Sequence, residues 1–238
     1  MISDSIDLEL QGNKFTQHVS QIISFLNDIN EIVIETNENL EGNSFYLDKT
    51  FELKDYLIPK QLNLFSIGKL DSTRICEIGF NAGHSTFLIL LGKELKNSLV
   101  YTIFDVAEHS YTKPCFSYIQ KKFPDIKFEF IEGDSTIKMP EYIDKNSSVV
   151  ASYDIIHLDG GHDETYILSD MKYSDILLKV GGLLIVDDTN VPHINKCVDS
   201  YIQLGKYTDI SSSYFPTEAK NNYTNEIDIL HRILQKIK

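Results

Sequence analysis

The chain has no tryptophan and only three cysteines, Cys76, Cys115 and Cys197, far apart and odd in number. Neither a disulfide framework nor a zinc-ligand spacing can be built from them. They fit a reducing compartment and read as small buried apolar residues rather than nucleophiles. Nowhere does the sequence run to the roughly 20 consecutive apolar residues that a membrane-spanning helix needs. Its first residues, MISDSIDLELQGNK, are acidic and polar, unlike a signal or transit peptide. A cytoplasmic protein with no membrane partner is therefore expected. Basic residues are scarce as well: 22 Lys and Arg stand against 35 Asp and Glu, a formal net charge of −13. Phosphate backbones are held by basic faces, so nucleic acid is not expected as a partner. What is present, 238 residues of which 42% are hydrophobic, suffices for one α/β domain with an appendage and a substantial core.

Between Phe15 and Ile34 apolar residues recur at helical spacing, which predicts one amphipathic helix starting near Asn13. Its apolar face could cover the chain's own sheet or a second copy, so a homo-oligomer stays open. Glu35 to Ser44 is polar and predicts a loop, and Pro59 opens a second short helix. From residue 74 the pattern changes. The runs ICEIGF (75–80), LVYTIFD (99–105), KFEFIEGD (127–134), YDIIHLDGG (153–161) and GGLLIVDD (181–188) alternate with helical stretches. That alternation predicts a mostly parallel, Rossmann-like α/β sheet with helices on both faces. At the C-terminus Ile227, Leu230, Leu234 and Ile237 are spaced for a helix, whereas YTDISSSYF could pair with a late strand as an antiparallel hairpin. The division that follows is an N-terminal helical extension over residues 1–65 and the main domain over 66–238.

Chemistry gathers at the carboxyl ends of the five strands, where ligands of open α/β sheets bind. Those ends carry Glu77 with Gly79, Asn81 and Gly83, then Asp105, Gly133-Asp134, Asp159-Gly-Gly-His162, and Asp187-Asp188. The glycines let the first loop turn sharply and approach a ligand at the start of the next helix, where Ser85 lies. The loop reads G-x-N-x-G, so the middle glycine of the dinucleotide fingerprint G-x-G-x-x-G is replaced by Asn81. This weakens a nicotinamide or flavin reading without removing it.

EIGFNAGHST, Asp105, Gly133-Asp134, LDGGH and GGLLIVDDT together resemble the class I S-adenosylmethionine-dependent methyltransferases over residues 74–190. Within them the chain is most similar to metal-dependent small-molecule O-methyltransferases, including the sugar-modifying group. The resemblance implies S-adenosylmethionine as cofactor. Gly79, Asn81, Gly83 and Ser85 would wrap its amino-acid end, and Glu77 would fix the loop. Asp105 would accept both ribose hydroxyls, and Asp134, with Gly133 and Ser135, would hold the adenine. The acceptor it implies is a small molecule, with a sugar or nucleotide-sugar first and catechol-like aromatics next.

Asp159, Asp187 and Asp188 would repel one another unless something positive sits among them, and Mg²⁺ is the simplest hard cation for such oxygens. It would bind and polarise the acceptor hydroxyl, although Asp187 and Asp188 could instead cap the helix that follows. His162 would take the acceptor proton. His157 lies on the same strand face as Asp159 but deeper, and reads as a core histidine. Two alternatives remain: a nicotinamide-dependent oxidoreductase, and a binding protein that kept the fold without turnover.

Overall fold

The short apolar runs are strands, buried on both faces in the middle of the sheet and half-buried at its β3 edge, and the helices between them cover those faces. The computed structural model describes residues 8–42, 44–45, 56–94, 98–215, 217–220 and 227–238. Three helices, α1 (Leu8–Thr16), α2 (Val19–Glu35) and α3 (Ile58–Gly68), precede β1 (Arg74–Ile78). Then follow α4 (His84–Gly92), β2 (Leu99–Asp105), α5 (Thr112–Lys122), β3 (Ile126–Glu132), α6 (Ser135–Lys145), β4 (Tyr153–Leu158), α7 (Glu164–Leu177) and β5 (Leu178–Asp187). The chain continues through α8 (Pro192–Gln203), β6 (Tyr207–Asp209), α9 (Ser211–Tyr214), β7 (Glu218–Lys220), β8 (Ile227–Ile229) and β9 (His231–Lys236). The main sheet runs β3-β2-β1-β4-β5-β9-β6, with β1 to β5 parallel and β9 antiparallel to both its neighbours.

Successive strand residues face opposite layers, as the period of two requires. Ile75, Ile103, Ile155 and Ile185 pack with Ile22, Phe25, Leu64 and Phe87 of the helices on one face. Cys76, Ile78, Ile156 and Leu184 pack with Met139, Ile167, Met171 and Cys197 on the other. All three cysteines are buried and unpaired, as expected. The N-terminal helices share the first of these cores: the ring of Phe25 in α2 stacks on Phe87 of α4, with centroids 3.9 Å apart. The apolar face of α2 is thus covered by its own domain. Helix α3 runs across residue 65, the predicted edge of the extension.

One local expectation differs from the structure. The single helix expected between Phe15 and Ile34 is two, broken at Gln17–His18. There the Thr16 hydroxyl donates to the Asn13 carbonyl at 2.8 Å, a local bond that competes with helix continuation. Helix α6 carries Pro140 within it, a residue with no backbone N–H to donate to the helix. At the C-terminus the strand alternative holds, since β9 buries Ile233 and Leu234 against β5 and β6 on opposite faces. No helix among the described residues is long and apolar enough to cross a membrane.

Candidate active site

The strand order reverses between β1 and β4, and a cavity of about 710 Å³ opens beyond their carboxyl ends. Gly79, Asn81, Ser85, Asp105, Gly133 and Ser135 line it toward β1–β3, and Asp159, His162, Asp187 and Asp188 line it toward β4–β5. Ten of the residues singled out in the sequence therefore meet in one crevice. The other three, Glu77, Gly83 and Asp134, support its walls.

The first loop is shaped by contact as well as by backbone angle. Gly79 has φ +88°, and a Cβ there would lie 1.9 Å from the Asp159 carbonyl oxygen, so only glycine lets the β1 and β4 loops cross this closely. Glu77 is fully buried beneath the loop. Its carboxylate accepts from Ser85 Oγ at 2.6 Å, Tyr101 OH at 3.2 Å and the Thr86 hydroxyl, and it lies 3.2 Å from His157 Nδ1. The Ser85 hydroxyl thus ties the start of α4 to the sheet. The Asn81 amide donates to the Glu41 carbonyl, drawing the segment after α2 over the crevice mouth.

Asp105 has become part of the loop's frame. Its Oδ2 accepts from the Phe80 and Asn81 amides at 2.6 and 3.0 Å, and its Oδ1 from the Ala107 amide at 2.6 Å. Asp134 caps α6, accepting from the Thr136 amide at 2.8 Å and its hydroxyl at 2.6 Å.

The β4–β5 end is organised around a residue that no sequence motif marks. Lys60, in the first turn of α3, donates to Asp187, and its Nζ lies 4.0 Å from Asp159 Oδ2. Burial opposes the ammonium charge, yet Asp187 and Asp159 overcome it and raise the lysine above its ordinary value. Asp187 is 3% exposed. Burial would push its carboxyl up, but Lys60, His157 and His231 hold it well below the usual range. Burial and the Asp187 charge push Asp159 the other way, upward, against the pull of Lys60 and His157. His157 is fully buried, as read from the sequence. Burial works against its charge, and the Glu77 bond nevertheless raises it.

His162 is exposed, with Nε2 2.8 Å from Asp188 Oδ2, and that hydrogen bond raises it above its ordinary value. Asp188 sits in the left-handed region, φ +53°, and its carboxylate lies on His162. Ligand-type atoms lie within 4.8 Å of one another in two overlapping sets, His157/Asp159/Asp187 and Asp159/His162/Asp188. The expected Mg²⁺ set of Asp159, Asp187 and Asp188 does not stand as open oxygens, because an ammonium already lies against Asp187 and close to Asp159. A divalent ion does not fit on Asp187 beside that ammonium; the second set, Asp159, His162 and Asp188, does not include Asp187.

A doubly wound sheet with the antiparallel β9 beside β5, a glycine turn at its switch point and an acidic residue closing β2 make a Rossmann-like fold with a ligand crevice at the strand ends. Residues 76–189 match the family model described as a methyltransferase domain. The structure is similar to an O-methyltransferase from Bacillus cereus in complex with S-adenosylhomocysteine (TM-score 0.60, 15% identity, covering 92% of this chain and 96% of that one). It is also similar to the O-methyltransferase TomG from Streptomyces achromogenes, involved in tomaymycin synthesis and solved with S-adenosylmethionine (TM-score 0.58, 14% identity, 90% of each chain). A calicheamicin methyltransferase is similar too (TM-score 0.57, 13% identity, 77% of this chain and 80% of that one). No curated protein sequence matches the chain. By the family-model match residues 76–189 form a methyltransferase domain, and the fold around them is the one these methyltransferase structures share.

Proposed function

We propose that the protein moves the methyl group of S-adenosylmethionine to a hydroxyl oxygen of a small, polar acceptor, with a sugar or nucleotide-sugar favoured over a catechol. The carrying observation is that one cavity reaches from the glycine loop to the Asp159–His162 end, so cofactor and acceptor share a crevice. Its size falls within the range of about 300–1,000 Å³ common for small-molecule sites. The acceptor end is lined by carboxylates, an imidazole and Ser44, which suits a ligand rich in hydroxyls. The likeness to proteins of tomaymycin synthesis and calicheamicin methylation supports a small-molecule acceptor.

In this reading the backbone of Gly79 to Ser85 wraps the amino-acid end of the cofactor, and Glu77 and Gly83 hold that loop. Asp105 receives a ribose hydroxyl on Oδ1, where its amide partners leave a lone pair free, while Gly133, Asp134 and Ser135 border the adenine. The acceptor hydroxyl attacks the methyl carbon as the carbon–sulfur bond breaks, and its electron pair returns to sulfur. The hydroxyl proton goes to His162, with Asp159 orienting the acceptor. Catalysis is then chiefly placement of oxygen in line with methyl.

Calorimetric titration with S-adenosylhomocysteine and with NAD⁺ separates this reading from a nicotinamide enzyme, and turnover on a panel of sugars, nucleotide-sugars and catechols separates it from a binding protein. Asp105→Ala is expected to weaken S-adenosylhomocysteine by about 10- to 150-fold, the loss of one hydrogen bond to a carboxylate; unchanged affinity would remove Asp105 from the cofactor site. The imidazole accepts a proton only when neutral. Because Asp188 raises it, activity should increase with pH through a midpoint above 6.5. Asp188→Asn should move that midpoint down toward 6.5, and an unmoved limb would assign the proton to another group.

A further inference from the structure

Lys60 is held in place by the whole docking of α3. Its neighbour Gln61 donates to the Ser44 carbonyl at 2.9 Å, and Asn63, about one turn beyond Lys60, lies 2.7 Å from His231 Nε2. Gln61 and Asn63 are fully buried. His231 pairs in register with Asp187 across β5 and β9. Two polar side chains of α3 therefore fasten its first turns to the segment after α2 and to a strand-end residue, and the ammonium beside them reaches the cavity wall. A surface ion pair costs entropy to hold in one geometry; this one is built into the seam between helix and sheet.

We propose that Lys60 is the resident cation of the site, taking the place against Asp187 and beside Asp159 that a divalent ion would need, so that methyl transfer here requires no bound metal. The inference rests on the methyltransferase reading of the same cavity. The requirement that something positive balance clustered carboxylates is met from within the chain. Two of the ammonium's three N–H groups remain beyond its bond to Asp187. One of them donates to the acceptor oxygen and favours the charge that develops there as its proton leaves to His162. The balance of the step is unchanged: the O–C bond forms, the C–S bond breaks, and sulfur ends as the neutral thioether of S-adenosylhomocysteine.

The test is Mn²⁺ binding to the intact protein loaded with S-adenosylhomocysteine, followed by the free-Mn²⁺ paramagnetic resonance signal. The wild type is expected to take up no stoichiometric Mn²⁺. Lys60→Met, which frees both carboxylates, is expected to gain one site at least about tenfold tighter than any wild-type binding, since affinity follows ligand charge. Lys60→Met/Asp187→Asn is expected to lose it again. Lys60→Arg keeps the charge and should exclude Mn²⁺, and it serves with the wild type should Lys60→Met not fold. One Mn²⁺ bound stoichiometrically by the wild type and lost in Asp187→Asn would overturn the proposal while leaving the methyltransferase reading intact. Failure of the wild type to bind S-adenosylhomocysteine would instead overturn that reading. With an acceptor from the panel, turnover should survive excess chelator, and Lys60→Met should lower kcat by about 10²- to 10³-fold with KM for S-adenosylmethionine unchanged. A wild type silenced by chelator, or a variant with normal kcat, would count against Lys60.

Discussion

Gly79→Ala is expected to remove measurable S-adenosylhomocysteine binding, a loss of at least about 100-fold, and to lower thermal stability. Left-handed backbone costs an L-residue about 1–2 kcal/mol of stability. The larger part is steric: the new methyl would stand 1.9 Å from the Asp159 carbonyl oxygen and 2.6 Å from its carbon, both backbone atoms. Neither β1 nor β4 can yield without breaking the bonds between Asp159 N and Ile78 O, 2.8 Å, and between Gly79 N and Phe104 O, 2.9 Å. The molecule supplies its own control. Gly181 has φ +81° with nothing within 4 Å of the place a methyl would take, so Gly181→Ala carries the strain without the collision. It should cost about 1–2 kcal/mol and leave S-adenosylhomocysteine affinity unchanged. Equal calorimetric affinities for Gly79→Ala and Gly181→Ala would refute the crossing of the two loops as the basis of the site.

Asp187→Ala should be nearly as damaging, for an electrostatic reason. Lys60 and Asp187 have side chains 11% and 2% exposed, and removing one member of a buried pair typically costs about 3–5 kcal/mol because the other is left without a partner. Chemical denaturation of Asp187→Ala should show that loss, and Lys60→Met/Asp187→Ala should recover much of it. The pH dependence follows from the directions of the shifts. Asp187 is depressed, so its contribution is present above the unfolded carboxylate value, about 3.9, and fades as pH falls toward the folded value. Lys60 is raised, so its contribution is present below the unfolded lysine value, about 10.4, and fades only as pH rises through the higher folded value. Between about pH 5 and 9 the penalty should be flat, and it should shrink in acid. A penalty below about 1 kcal/mol at pH 7, the level of an exposed pair, would mean that water reaches Lys60 freely.

The sequence by itself determined the frame. Strands β1, β2, β4 and the second half of β5 are apolar runs buried on both faces, β3 alternates apolar and charged residues as an edge strand does, and each of the five ends at or beside a carboxylate or glycine. Because parallel strands in a doubly wound sheet deliver their carboxyl ends to one edge, Gly79, Asp105, Gly133, Asp159 and Asp187 could be placed together without coordinates. Where local signals compete, the sequence was divided: Thr16 split the first helix, and the spacing of Leu230, Leu234 and Ile237 suited a helix as well as a strand until β5 offered an edge to pair with. Only the tertiary structure decided what balances the carboxylates. Charge can be summed along a chain, but the partner of a buried charge is chosen by whichever element packs over it. Lys60 stands 127 residues from Asp187, in a helix whose apolar pattern says where it is buried and nothing of where its first turn points. The seating of α3 against α4, β5 and β9 brings that ammonium to the strand ends, and Coulomb attraction in a poorly solvated seam keeps it there.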